Sequence, residues 1–189
     1  MPTNAAKNLH GKTVLITGAS SGIGRSCAFE FSRTSPASIK LILAARRVDR
    51  LHDISGEIIS ELGNGVQIHV VKLDVSKPDE VSRFWADIPE DFRDVDVLVN
   101  NAGFMSGYER APQIPNQVIE DVWATNVTGL IQMTQAFLKI AKKRTEEALR
   151  KELIDTRIRV ITVDPGQVLT EFTVIRNRGD EASADKVYE

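Results

Sequence analysis

The chain has 189 residues and a formal net charge of −2, with 42% apolar and 26% charged residues. This length suits one domain, 1–189, with a substantial core, and the even charge balance lacks the basic excess of nucleic-acid binders. The lone Cys27 excludes an intrachain disulfide, the scattered His10, His52 and His69 argue against a metal site, and no apolar run reaches membrane length.

Met1 to His10 reads as a short polar lead-in without a signal peptide. The expected setting is a reducing one, most simply the cytoplasm, with no membrane or nucleic-acid partner. Thr13 to Thr17 is β-branched and apolar without alternation, the pattern of a strand buried on both faces. Gly18, Gly22 and Gly24 follow, and an amphipathic run carrying Ile23, Cys27, Ala28 and Phe31 begins at once. Strand, glycine turn and helix together aim helix N-terminal N–H groups at a phosphate. On that apolar face Cys27 reads as a core thiol rather than a reactive one.

After Ser35-Pro36, Lys40 to Ala45 reads as a second buried strand, with Arg46 and Arg47 directly behind it. Leu51, Ile54, Ile58, Ile59 and Leu62 mark a helix that stops at Gly63. Val66 to Leu73 is a third strand. Ser76, with Asp79 three residues on, is expected to cap the next helix, and Val95 to Asn100 is a fourth strand. The order βαβαβαβ specifies a doubly wound parallel sheet of the α/β, Rossmann-like class, with helices on both faces.

From Gln117, apolar Val118, Val122, Leu130, Met133, Phe137, Leu138 and Ile140 recur at helical spacing. They run through Lys142-Lys143-Arg144-Thr145 into a second helical pattern at Ala148, Leu149 and Leu153. One helix over 117–155 would be about 58 Å long, against about 20 Å for the strands it should connect. Such an overshoot is unexpected. Arg159 to Val163 reads as the last strand, ahead of Asp164-Pro165-Gly166, and 177–189 is a polar tail.

Thr17-Gly18-x-x-x-Gly22-Ile23-Gly24, Leu73-Asp74-Val75, Asn100-Asn101-Ala102-Gly103, Asn126-Val127-Thr128-Gly129 and Pro165-Gly166 resemble the short-chain dehydrogenase/reductase family in content and order. Arg150 to Leu153, Arg157 to Val160, Thr170-Glu171-Phe172 and Arg178-Gly179-Asp180 look like its NADP-dependent 3-hydroxy acid, or serine-type, dehydrogenases. The resemblance implies that Gly18, Ser20, Ser21, Gly22, Ile23 and Gly24 hold the pyrophosphate and the adenosine ribose phosphate. It implies Asp74 for the adenine amino group and Asn101, Ala102 and Gly103 for the adenosine-side ribose. Pro165, Gly166, Val168 and Thr170 would fix the nicotinamide. Asn126 would stand beside the active site, where the family uses it to hold a water. A homo-oligomer is implied as well, built in the family on the helices around 117–155.

NADP is the expected cofactor on chemical grounds. An NAD site places a carboxylate at the end of the second strand, whereas Ala45 stands here, followed by Arg46 and Arg47. A guanidinium fork matches a 2′-phosphate.

The family's proton donor is a Tyr-x-x-x-Lys pair on a helix, with a serine from the preceding strand to polarise the substrate carbonyl. Neither tyrosine fits: the residue four after Tyr108 is Pro112, and Tyr188 stands one residue from Glu189. A missing βα segment of roughly 30 residues near Lys143-Arg144 accounts for both the overlong helix and the absent residues. The family's final strand and helix are also expected to be missing. The sequence therefore reads as an NADP(H)-dependent oxidoreductase of hydroxy acids, or related alcohols and carbonyls, impaired as written. The alternative is a non-catalytic NADP-binding or oligomer-associating protein. Tyr108 reads as a loop aromatic.

Overall fold

The computed structural model describes residues 3–144, 158–166 and 168–185. Strands β1 (Thr13–Thr17), β2 (Lys40–Ala45), β3 (Gln67–Lys72) and β4 (Val97–Val99) form a parallel sheet in the order β3-β2-β1-β4. Leu15 pairs with Ile42 on one side and with Leu98 on the other. Helices α1 (Asn4–Leu9), α2 (Gly22–Thr34), α3 (Val48–Leu62), α4 (Pro78–Asp87), α5 (Asn116–Trp123), α6 (Leu130–Arg144), α7 (Glu171–Arg176) and α8 (Glu181–Asp185) complete the described elements, with a short 3₁₀ turn at Glu90–Phe92.

Two cores follow from the period of two along β1 and β2. Val14, Ile16, Leu41 and Leu43 point to one face and pack with Ala28 and Phe29 of α2 and Leu51, Ile54 and Ile58 of α3. Leu15, Ile42 and Ala44 point to the other and meet Val81 and Phe84 of α4 and Met133 of α6. Uninterrupted apolar runs are therefore required at β1 and β2. Every residue of β1 and all of β2 but Lys40 is buried. Gly63, at φ 78°, takes the left-handed conformation that stops α3.

Several expectations need correction. Arg159 to Val163 is not a strand; it lies outside the sheet, with Val160 92% exposed. A β-branched run becomes a strand only when a partner edge accepts it. β4 pairs with β1, and among the described residues no strand lies on its far side. Ser76 does not cap α4: Lys77 is the capping residue, Pro78 opens the helix, and the Ser76 hydroxyl donates to Asp74 Oδ1 instead, at 2.7 Å. The lead-in contains α1, whose first turn is closed by Ala6 N–H donating to Thr3 Oγ1 at 3.2 Å. β3 and β4 are shorter than Val66 to Leu73 and Val95 to Asn100.

The long helical stretch begins at Asn116 and reaches Arg144, with one wide π turn at Ala124–Gly129 between α5 and α6. Gly129 sits where this turn presses on the chain after β3: a Cβ there would lie 2.7 Å from the Val75 carbonyl oxygen. The second pattern, Ala148, Leu149 and Leu153, lies outside the described residues.

Candidate functional site

β2 and β4 leave β1 on opposite sides, so the connections diverge at its C-terminal end. Open α/β sheets place their ligand crevice at such a switch point. A cleft of about 700 Å³ opens there. Its floor is laced together by Thr17 and Asn101. Thr17 Oγ1 accepts from the N–H groups of Asn101 and Ala102, each at 3.1 Å. Asn101 Nδ2 donates to the carbonyls of Thr17 and Gly18, at 3.0 and 3.2 Å.

This lacing explains two of the glycines. A Cβ on Gly24 would lie 2.5 Å from both Asn101 Nδ2 and the Gly18 carbonyl oxygen. Gly18, at φ 65°, needs the left-handed conformation, and a Cβ there would come 2.8 Å from Ala102 Cα. The chain can turn from β1 into α2 this tightly only with hydrogen at both positions. The N-terminus of α2 then stands at the cleft with Ser20 and Ser21 beside it.

Gly18, Ser20, Ser21, Gly22, Ile23, Arg46, Arg47, Asp74, Asn101, Ala102, Gly103, Pro165, Gly166, Val168 and Thr170 all line the cleft. Pro165 and Gly166 do so although the strand expected before them is absent. Two sequence candidates lie elsewhere. Gly24 is buried in the first turn of α2 and acts through packing. Asn126 lies in the π turn, where its amide accepts from Phe104 N–H at 2.7 Å and donates to the Phe104 carbonyl at 2.8 Å. Its neighbour Thr125 is the residue of that turn that lines the cleft.

Asp74 Oδ1 accepts from the Ser76 N–H and hydroxyl, while its own N–H donates to Glu80 Oε2. The carboxylate is thereby held at the rim after β3.

Sequence reasoning missed a carboxylate. Arg47 donates to both oxygens of Glu171, each at 2.8 Å, and reaches Ser21 Oγ at 3.0 Å and Ser20 Oγ at 3.3 Å. The hydrogen bonds from Arg47 pull the Glu171 pKa down from 4.5 to about 2, against a smaller effect of burial. The acid missing from the end of β2 thus arrives from α7, and Arg46 is left exposed beside the pair. Nothing local in the sequence links Arg47 to a residue so far along the chain.

Sequence reasoning also passed over the far end of α7. Arg176 lines the cleft and lies over the Tyr108 ring, 4.0 Å from its centroid. Asn177 Nδ2 donates to Tyr108 Oη at 3.3 Å, Gly107 N–H donates to the Arg176 carbonyl at 2.8 Å, and Arg178 pairs with Glu109. Among the described residues no group of three or more His, Cys, Asp or Glu could hold a metal, and no helix is long and apolar enough to cross a membrane. Cys27 is half-buried against the α2–α3 core, and burial raises its pKa.

Residues 12–146 match the family model described as short chain dehydrogenase. The chain is 39% identical to the NADP-dependent 3-hydroxy acid dehydrogenase of Schizosaccharomyces pombe over 212 aligned positions, covering 95% of this chain and 80% of that protein. It is 30% identical to the serine 3-dehydrogenase of Rhizobium radiobacter, covering 93% of this chain and 80% of that protein. Among solved structures, the closed form of a serine dehydrogenase complexed with NADP+ superposes with a TM-score of 0.78 at 29% identity, covering 94% of this chain and 81% of that one.

Proposed function

The chain belongs to the short-chain dehydrogenase/reductase family, and we propose that it is a cytoplasmic NADP(H)-binding member built around a small hydroxy acid, without the family's proton-transfer residues. The observation that carries the cofactor assignment is the gathering of Ser20, Ser21 and Arg47 at the N-terminus of α2, with Arg46 exposed beside them and Ala45 ending β2. An anion is favoured at such a helix end, and guanidinium groups suit a ribose 2′-phosphate.

The residues fit the nucleotide. Gly18, Gly22 and Ile23 let the backbone approach a pyrophosphate, with Gly24 keeping the turn closed. Arg46 and Arg47 take the 2′-phosphate, with Glu171 competing for Arg47. Asp74 at the rim receives the adenine amino group, and Asn101, Ala102 and Gly103 support the adenosine side. Pro165, Gly166, Val168 and Thr170 line the part of the cleft assigned to the nicotinamide. The bound nucleotide would supply hydride transfer. Asn126 holds the Phe104 backbone, and with it the chain leading from β4 to Tyr108.

Proton transfer lacks an agent. No lysine follows Tyr108 one turn on, since Pro112 holds that position. The alignment with the Schizosaccharomyces protein has 212 positions but spans only 95% of 189 residues, an excess of about thirty positions, the size of one βα unit. That excess supports the absence of a segment carrying serine, tyrosine and lysine. The named relatives that act on 3-hydroxy acids, serine and sulfoacetaldehyde support a small hydroxy acid or carbonyl as the substrate class.

Fluorescence titration with NADPH and NADH tests the cofactor assignment. NADPH should bind at least about tenfold more tightly, and Arg46→Ala with Arg47→Ala should erase the difference. Equal binding of the two nucleotides would refute it.

A further inference from the structure

Three arginines meet the two ends of α7, and they are held differently. At its start, Arg47 is held by Glu171 and two serine hydroxyls. One residue beyond its end, Arg178 is paired with Glu109. Between them Arg176 has a ring and, among the described residues, no carboxylate: it stacks on Tyr108, and its Nε is buried with no hydrogen-bond partner among those residues. Leaving a charged donor buried and unmet is unfavourable. Evolution has ready alternatives to such an arginine, since a leucine or methionine would cover the Tyr108 ring without that penalty.

We propose that Arg176 and Tyr108 form an anion subsite that takes the carboxylate, or an equivalent small oxyanion, of the molecule bound in this cleft. Nε is enclosed, so the two Nη nitrogens at the guanidinium tip are the donors that face the cleft, and together they match two carboxylate oxygens. Stacking on the phenol fixes the plane of that fork and limits the side-chain freedom lost on binding. Tyr108 Oη accepts from Asn177 Nδ2, which leaves its own hydrogen to donate to the same anion. The backbone bond from Gly107 to Arg176 and the Arg178–Glu109 pair tie loop and helix together, so the two donors are held as a unit. An uncharged end of the ligand gains less here, because it offers neither the charge nor the paired oxygens that the guanidinium tip and the phenol hydroxyl match. The choice of a hydroxy acid as probe rests on the proposed function above; the subsite itself rests on Arg176 and Tyr108.

Ligand-observed NMR on the full chain tests this, using 3-hydroxypropionate and, as its uncharged counterpart, 1,3-propanediol at matched ionic strength. The titrations are run with and without NADPH. The carboxylate should bind and the diol should not. Arg176→Gln should weaken the carboxylate about tenfold or more while leaving NADPH affinity and melting temperature unchanged, and Arg176→Lys should restore only part of the loss. Tyr108→Phe should weaken it by a smaller factor. Equal binding of acid and diol by the unaltered chain, or unchanged acid binding in a folded Arg176→Gln chain, overturns the subsite. If NADPH fails to bind while acid binding still depends on Arg176, the cofactor assignment falls and the anion subsite stands. The reverse pattern leaves the cofactor assignment and removes the subsite.

Discussion

The two sides of the cleft are built differently. The side formed by β1, β2 and the glycine turn is closed: strands buried to the last apolar residue, and glycines packed so tightly that one added carbon meets backbone at 2.5 Å. The side formed by 158–176 is open. Val160, Ile161, Val163 and Leu169 are each at least 74% exposed, and α7 is held to the rest by polar ties at its ends. Chain that lies between two neighbouring strands is fixed by packing. Chain outside the sheet, as at α7, is tied to the rest by hydrogen bonds and an ion pair. The wall proposed to hold the nucleotide can therefore survive intact while the other is remodelled.

Five substitutions test that contrast. Leu43→Ala, in the sealed core, should lose about 2–5 kcal/mol of stability in denaturant unfolding, whereas Val160→Ala should stay within about 0.5 kcal/mol. Comparable losses would mean that the 158–166 segment is packed after all. Gly24→Ala forces Asn101 or the Gly18 carbonyl aside and should cost about 1–3 kcal/mol, with weaker NADPH binding in the same titration.

Arg47→Ala should weaken NADPH about tenfold or more and leave NADH nearly unchanged. Glu171→Gln should act in the opposite sense, freeing Arg47 from a competing anion and tightening NADPH by a few-fold at low salt. A weakened NADPH in Glu171→Gln would mean that the carboxylate serves only to position the arginine.

The smallest effect concerns pH. The Glu171 pKa is depressed in the folded chain, from 4.5 to about 2, mainly by the Arg47 hydrogen bonds. Its contribution to docking α7 is therefore complete above pH 4.5 and lost as the pH falls toward 2. Both partners keep a third or more of their side-chain surface exposed, so the contribution is modest. Amide exchange in α7, corrected for the intrinsic pH dependence, should be flat from pH 8 to 5 and speed up below 4.5; α2 should not follow.

The same contrast governs what the sequence discloses. β1 and β2 are legible to the residue, because a double-sided core demands an unbroken apolar run between a glycine turn and a charged stop. The cleft-lining residues Gly18, Ser20, Ser21, Gly22, Ile23, Arg46 and Arg47 are legible too, because they adjoin those strands. Arg159 to Val163 carries the same local pattern and is not a strand, since pairing depends on a neighbour that local pattern does not describe. Ser76 looks like a helix cap, but Asp74 competes for its hydroxyl from two residues away. The contacts that shape the open side, Arg47 with Glu171 and Arg176 with Tyr108, join residues far apart in the chain and carry no periodic signal. Thr3 before Asn4-Ala5-Ala6 was a visible cap for α1, passed over because the segment is short and polar.

A cofactor site retained without the means of proton transfer is the proposal on which the rest depends. It is tested by one sample of the purified chain, titrated with NADPH by fluorescence and then assayed for NADP+ reduction with serine and with 3-hydroxypropionate. Loss of a general acid alone typically lowers the rate by about 10²–10⁴, and the proposal removes its lysine and serine partners as well. Saturable NADPH binding with turnover at the protein-free baseline is the predicted result. Sustained turnover of either substrate above that baseline would contradict it.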